Sequence, residues 1–226
     1  MIKNNNALIE HFKQFVSKKR FDLFNKKVQD RTKHITLVLE NMYQARNISA
    51  CLRSADCFGI QDVHIIENDN HFEDNNEVSM GASKWLKINN YNKERHNTIN
   101  TIKLLKKKKY QIITTTTSNE NTDLYNIDLN KKIAIIFGSE LNGCSNEALS
   151  HSDLKMKIPM YGFTESLNVS VAVSICLHYF SKKMRDTKID WKINKLEREK
   201  IMLDWLRKSI KSSKNIENIF LEKLKS

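Results

Sequence analysis

The feature that most constrains the fold of this chain is an alternation of short apolar runs with longer segments of helical spacing. The apolar runs are rich in β-branched residues and predict strands, because such side chains fit the pleated surface of a sheet. The predicted strands are residues 35–40, 62–67, 85–91, 110–115, 131–137 and 155–160. The predicted helices between and after them are residues 47–58, 97–108, 146–150 and 167–184. Strands that alternate with helices predict an α/β fold with a mostly parallel sheet.

Both ends of the chain differ from this alternating centre. Apolar residues at helical spacing predict one or two amphipathic helices in residues 6–31, before the first strand. Beyond about residue 186 the apolar residues lie in a strongly charged background, which predicts further helices. We therefore expect an N-terminal helical extension (1–30), a core (31–186) and a C-terminal helical extension (187–226). Within the core, the polar stretch 68–83 predicts a loop.

Composition narrows the class of protein without deciding it. The net charge of +12 and the pI of about 9.5 suit a surface that binds phosphate backbones. The bias towards Lys, Asn and Ile is also what an AT-rich genome gives any protein, so both explanations of the charge stay open. The four cysteines form no CxxC pair, which predicts reduced thiols in a cytoplasmic protein. Apolar runs too short for a bilayer and an N-terminus without an apolar signal segment agree with that location.

Two clusters of polar residues and one turn are candidates for a ligand site. The first cluster opens with Asn47, at a predicted helix N-cap, and includes Arg53 on an otherwise apolar helix. An arginine there either extends to solvent or an ion-pair partner, or clamps a phosphate or carboxylate. The second cluster follows a predicted strand and contains Gly138, which would let the backbone approach a ligand closely, and Glu140. It is neither a GxGxxG nor a Walker A loop, so neither class of nucleotide site is indicated.

The turn lies within Lys157–Ala172 and contains the only proline of the chain, Pro159. Thr164 or Ser166 is the expected N-cap of the helix that follows, with backbone N–H groups of the first turn free for a small polar ligand. An ordinary strand-to-helix turn would have the same pattern. The seven histidines show no HxH or HExxH spacing, so we expect no metal site.

Together, the three segments resemble the three motifs of a known family, in order and in spacing. NISACLRSADCFGI, IIFGSELNGCSNEAL and IPMYGFTESLNVSVAVSICL are similar to the motifs of the SpoU/TrmH family, the RNA ribose 2′-O-methyltransferases of the SPOUT superfamily. The resemblance covers roughly residues 30–185. It implies an α/β sheet with a C-terminal trefoil knot, S-adenosylmethionine bound in the knot, and a homodimer built from the knot regions. The flanking helices most resemble the branch that methylates guanosine 18 in the D-loop of tRNA.

The resemblance also implies roles for individual residues. Those matching cofactor contacts of the family are Thr115, Gly138, Ile158, Met160 and Leu167. Those matching its functional polar positions are Asn47, Arg53, Glu140, Ser166 and Asn168. On this basis the two asparagines fix the arginine and the loop, the serine orients the ribose or phosphate, and the glutamate braces the knot loops. Ribosomal RNA as substrate, or a catalytically silent RNA-binding module, are the alternatives.

The implied reaction leaves open which group removes the proton of the 2′-hydroxyl. In the family, the arginine that matches Arg53 has been assigned to activating the hydroxyl. A free guanidinium is protonated at any physiological pH, so Arg53 would either lose a proton transiently beside a phosphate or hold that phosphate and stabilise the developing alkoxide. We favour the second role, for which lysine lacks the planar fork.

Overall fold

The computed structural model describes residues 3–68, 76–93, 96–117 and 122–224. Within these ranges the chain divides into two compact units, Thr32–Trp191 and the combination of Met1–Arg31 with Lys192–Ser226. In the larger unit the strands are β1 (Ile35–Glu40), β2 (Asp62–Ile66), β3 (Lys87–Tyr91), β4 (Tyr110–Thr115), β5 (Thr122–Asp123), β6 (Lys132–Phe137) and β7 (Leu154–Lys157). Its helices are α3 (Ala45–Cys57), α4 (Asn76–Ser79), α5 (Asn97–Lys107), α6 (Asn146–His151) and α7 (Val169–Asp186).

The seven strands form one sheet in the order β3-β2-β1-β6-β4-β7-β5, and every strand pair is parallel. Both faces are covered, so alternate residues of a strand enter different cores. Along β6, Ile133 and Ile135 enter the core formed with α3 and α7, while Ala134 and Ile136 enter the core on the opposite face. This explains why the central strands read as continuous apolar runs. The predicted parallel α/β fold is confirmed.

The smaller unit contains α1 (Lys3–Lys13), α2 (Lys18–Gln29), α8 (Lys195–Ser209) and α9 (Ser213–Lys223). Its centre is Trp205, which is 1% exposed and meets the edge of the Phe24 ring at a centroid distance of 5.6 Å. The Arg31 guanidinium lies over the Trp205 ring, with its Cζ 5.2 Å from the ring centroid. Helices at both ends of the chain were predicted and are present. No helix in the described ranges has the length and apolarity needed to cross a membrane.

Several predicted boundaries are wrong. The strand predicted to reach Met160 ends at Lys157, where Pro159 follows and has no N–H to donate to a ladder. Helix α7 begins at Val169 with Asn168 as its N-cap, so neither Thr164 nor Ser166 caps it. The loop between β7 and α7 is therefore longer than predicted, because the strand ends earlier and the helix begins later.

The polar stretch 68–83 is not a simple loop. Residues 69–75 lie outside the described part, but α4 and a 3-10 helix, Ala82–Trp85, occupy much of the remainder. The 3-10 helix begins after Gly81 in the left-handed region, at φ 73°, and delays the start of β3 to Lys87. Helix α3 begins at Ala45 after Gln44, so Asn47 stands in the first turn and is not the N-cap.

Candidate active site

A cavity of about 630 Å³ lies at the carboxyl edge of the sheet. Strands β6, β4 and β7 are neighbours, so the loops that follow them meet at this edge, which is where parallel sheets usually bind ligands. All but one of the predicted site residues line the cavity: Asn47, Thr115, Gly138, Glu140, Ile158, Met160, Ser166, Leu167 and Asn168. The exception is Arg53.

A chain of hydrogen bonds joins three of the predicted polar residues. The Asn47 amide Nδ2 donates to Glu140 Oε1 at 2.6 Å, and Asn168 Nδ2 donates to Asn47 Oδ1 at 3.3 Å. The free oxygen of Asn168 accepts from the backbone N–H of Ser170 at 2.9 Å, which caps α7. The network therefore connects the first turn of α3, the loop after β6 and the N-terminus of α7. Each predicted motif contributes one member to it.

Glu140 is held as a carboxylate by this network. Partial burial alone would raise its pKa, but the bond from Asn47 and the backbone N–H groups around it, including that of Tyr43 at 3.1 Å, act in the opposite direction. The net result is a pKa below the ordinary value of 4.5. Glu140 is also the only carboxylate among the described residues that line the cavity. The cavity therefore has one fixed negative charge.

The loop after β6 turns back on itself at Gly138. Ser139 and Gly143 exchange backbone hydrogen bonds of 3.0 and 2.9 Å, and Gly143 adopts φ 64°. A Cβ added at Gly138 would overlap the backbone of Gly143 and Cys144. The close approach of a ligand to this glycine stays a prediction; in the structure, the missing side chain lets the two arms of the loop approach each other. The glycine thereby shapes the cavity wall.

The loop between β7 and α7 supplies the apolar wall. Ile158 and Met160 are half-buried and Leu167 is 38% exposed, and all three line the cavity. Opposite them, the Thr115 hydroxyl donates to the carbonyl of Ile136 at 3.1 Å, which fixes the end of β4 against β6. Ser166 is exposed on the same loop. The cavity therefore combines one apolar wall with a polar rim.

Arg53 lies apart from these residues, on the exposed side of α3. Its neighbour Ser54 contacts α7 through a 2.7 Å hydrogen bond to Ser174. No hydrogen bond or ion pair of the Arg53 guanidinium is found within the described residues. We expected Asn47 and Asn168 to fix the arginine; their amides bond to Glu140 and to each other instead.

Sequence reasoning missed a second glutamate at this edge of the sheet. Glu40, at the end of β1, is 1% exposed and accepts from the hydroxyls of Ser145 and Thr98, both at 2.7 Å. It thereby joins the start of α6 to the start of α5. The only feature of the sequence that could have indicated this role is the position of Glu40, a lone acidic residue at the end of an apolar strand. Thr116, Thr117 and Gln44 also line the cavity and were not predicted.

The cavity fits a cofactor of nucleoside size. Its volume is within the usual range of about 300–1,000 Å³ for small-molecule sites. Ile158, Met160 and Leu167 offer an apolar surface to a flat ring, strand-end backbone groups offer hydrogen bonds, and Glu140 offers a negative charge to a cationic group. No cluster of His, Cys, Asp and Glu suited to a metal ion occurs in the described ranges.

The fold and the cavity define an α/β protein that binds its ligand at the carboxyl edge of a parallel sheet. More particularly, the chain belongs to the SpoU rRNA Methylase family, which it matches over residues 34–178. It is 36% identical over 206 residues to a tRNA (guanosine(18)-2′-O)-methyltransferase of Borreliella burgdorferi, an alignment that covers 91% of this chain and 93% of that relative.

Solved structures show the same fold. The A. aeolicus TrmH/SpoU tRNA modifying enzyme superposes with a TM-score of 0.78 at 25% identity, over 86% of this chain and 98% of that one. The SpoU methyltransferase AviRb from Streptomyces viridochromogenes, solved in complex with the cofactor AdoMet, gives a TM-score of 0.61 at 18% identity. That alignment covers 70% of this chain and 63% of AviRb.

Proposed function

We propose that this protein transfers a methyl group from S-adenosylmethionine to the 2′-hydroxyl of a tRNA ribose, at guanosine 18 of the D-loop. The observation that carries the proposal is the meeting of three family motifs around one cavity, in a chain of which 91% aligns with a relative named for this reaction. The net charge of +12 suits an RNA substrate.

The proposed cofactor contacts are Thr115, Gly138, Ile158, Met160 and Leu167, which all line the cavity. When bound there, S-adenosylmethionine supplies a methyl group already activated by its positive sulfur. The residues of the protein bind the cofactor and the RNA, orient the ribose hydroxyl towards the methyl group and exclude water. The folded-back loop at Gly138 and the apolar wall of Ile158 and Met160 hold one ligand face, and the ionised Glu140 favours a cationic ligand over its neutral product.

The remaining polar residues have positioning roles in this proposal. Glu140 and Asn47 fix the loop after β6 against α3, and Asn168 passes the restraint to the start of α7. Ser166, exposed on the cavity rim, orients the ribose or its phosphate. Arg53 holds a phosphate of the substrate and stabilises charge that develops on the ribose oxygen, because a guanidinium offers a planar fork of N–H donors to phosphate oxygens.

We further propose that the protein acts as a homodimer. Val171 and Ile175 are 45% and 36% exposed on α7, one helical turn apart, and such an aliphatic stripe is suited to a second copy of the same helix. Ser54, next to Arg53, touches α7. A dimer through this face would place Arg53 beside the interface, where the arginine of one copy can serve the cavity of the other.

The architecture of the proposal follows the family. The chain that follows β6 is threaded as a trefoil knot. The methyltransferase core comprises residues 31–186, and the protein works in the cytoplasm. The helical extensions, 1–30 and 187–226, contact the tRNA backbone through their lysines and arginines.

Incubation with methyl-labelled S-adenosylmethionine and an unmodified tRNA transcript, followed by nuclease digestion and mass spectrometry, tests the proposal. A 2′-O-methylguanosine in the D-loop fragment is the expected result. Cofactor binding without transfer to tRNA would direct the search to ribosomal RNA, which the family's description names. Failure to bind the cofactor would leave an RNA-binding module without activity.

A further inference from the structure

A second cavity, of about 440 Å³, lies at the edge strand of the sheet. It runs between the end of β3 and one side of α5. We call it the β3–α5 groove, and its lining residues are Asn90, Tyr91, Asn92, Lys93, Asn97, Asn100, Lys103, Leu104 and Lys107. None of the motifs discussed above contributes to it. Its chemistry is therefore independent of the proposed active site.

The groove is cationic and rich in amides. Lys93, Lys103 and Lys107 are exposed, and among the described residues that line the groove none is acidic. No ion pair of these three lysines is found within the described part of the chain. On the same helix Lys106 behaves differently, because it points elsewhere and pairs with Asp153 at 2.8 Å. The groove thus brings together Lys93, which follows β3, and two lysines of α5, and none of the three has a carboxylate partner within the described residues.

The polar side chains on the floor of the groove already have hydrogen-bond partners within the protein. The Tyr91 hydroxyl is 2.8 Å from Nδ1 of buried His64, and the Asn92 amide donates to Glu67 at 3.1 Å. These bonds hold the end of β3 rigid and leave the lysines as the adaptable groups. A rigid floor with flexible cations at the rim suits an extended polyanion better than a small anion, which calls for convergent donors.

The groove lies within reach of the active cavity. In a parallel sheet all strands end at the same edge, so the end of β3 faces the same way as the end of β6. The order β3-β2-β1-β6 separates the two strand ends by three strand spacings, which is roughly 14 Å at about 4.8 Å per strand. Lys103 and Lys107 lie further from the cavity, because α5 runs back towards the edge where β4 begins. Successive phosphates of an RNA strand lie several ångströms apart, so the span corresponds to a few nucleotides.

We propose that the β3–α5 groove binds the phosphate backbone of the RNA substrate beyond the nucleotide that is methylated. This rests on the proposed function for the identity of the RNA, but the binding itself can be measured separately. Each lysine would neutralise a phosphate and release a counterion, which makes the affinity depend on salt. The base-independent contacts would fix the register of the tRNA on the core and carry no sequence information.

The test is the triple variant Lys93→Gln, Lys103→Gln, Lys107→Gln, with Lys106→Gln as the matched control. Filter binding of an unmodified tRNA transcript is measured across a KCl series. We expect the triple variant to bind at least about tenfold more weakly at moderate salt, with a salt slope that is smaller by about two to three. The control should keep the affinity and slope of the unaltered protein.

Kinetics separate this role from a structural one. The triple variant should show a raised KM for tRNA with an unchanged kcat at saturating tRNA, and calorimetry should give an unchanged affinity for S-adenosylmethionine. An unaltered tRNA affinity and salt slope would overturn the proposal, and so would an equal loss in the Lys106→Gln control. If the unaltered protein binds tRNA but methylates none, the proposed function fails while the binding comparison still decides the groove.

Discussion

Gly138 provides the sharpest test of how the cavity is built. A methyl group at this position would overlap the backbone of Gly143 and Cys144, in the opposite arm of the loop. Backbone cannot move aside as a flexible side chain would, and the arms are joined by the paired hydrogen bonds of Ser139 and Gly143. We therefore expect Gly138→Ala to cost about 2–3 kcal/mol or more, at the upper end of overpacking substitutions. For a chain of this size that lowers Tm by roughly 5–10 °C.

Gly138→Ala should also change the shape of the cavity and weaken cofactor binding, in addition to lowering stability. If the arms separate to admit the methyl group, Glu140 moves with them and its bond from Asn47 lengthens. Calorimetric titration with S-adenosylmethionine should then show a loss of affinity of at least about tenfold at a temperature where the variant is still folded, since misplacing a binding loop by about 1 Å is costly.

Gly162 supplies the matched control for this substitution. It belongs to the loop between β7 and α7, and a Cβ there would meet no atom within 4 Å. Gly162→Ala should leave Tm unchanged or raise it slightly, because alanine restricts the unfolded chain. A Gly138→Ala protein with the Tm and cofactor affinity of the Gly162→Ala control would refute the reasoning.

Three further predictions follow from the site. Because the pKa of Glu140 is lowered in the folded protein, its stabilising contribution is complete above 4.5 and is lost as the pH falls through the folded-state pKa; the Tm difference between the unaltered protein and Glu140→Gln should be constant near neutral pH and shrink as the pH falls below 4.5, and a difference that stays the same in acid would contradict this. Asn168→Ala should lower stability by about 1 kcal/mol through the lost N-cap, whereas Asn168→Ser should keep the cap, lose the bond to Asn47 and reduce methyl transfer with little change in Tm; equal melting of the two variants would argue against the cap. Arg53→Lys should bind S-adenosylmethionine normally but lower kcat/KM for tRNA by about 100-fold or more, and near-normal turnover would exclude the phosphate-clamp role.

The strands were predictable because a strand that is buried on both faces needs apolar residues at consecutive positions. Runs such as Ile133–Phe137 have no polar residue, and a parallel sheet covered on both sides is the structure that calls for such runs. Gly59 follows α3 at φ 76°, the left-handed conformation that ends many helices and that glycine adopts without strain. In both cases local chemistry and tertiary structure favour the same outcome.

The start of α7 was not predictable for a different reason. Thr164, Ser166 and Asn168 can all cap a helix, and nothing local ranks them. The choice is made by a residue more than a hundred positions away, because Asn168 also donates to Asn47. Glu40 was missed in the same way, since its partners Thr98 and Ser145 come from two later helices. Where a polar residue has several local options, long-range contacts decide between them.

The first motif shows how helix geometry divides residues that the sequence places together. Asn47 and Arg53 are six positions apart, and at about 100° per residue their side chains point in directions about 120° apart around the helix axis. A regular α3 cannot turn both side chains towards one cavity: Asn47 is 8% exposed and bonded to Glu140, while Arg53 is exposed. If Arg53 takes part in the reaction, it must therefore act on a substrate that extends over the outer face of α3, or at the cavity of a second copy. Mixed dimers of Arg53→Ala and Asn168→Ala subunits distinguish the two. Activity recovered in the mixture, although each variant alone is inactive, requires that the arginine serve the neighbouring cavity, because only then does one cavity of the dimer receive both intact residues.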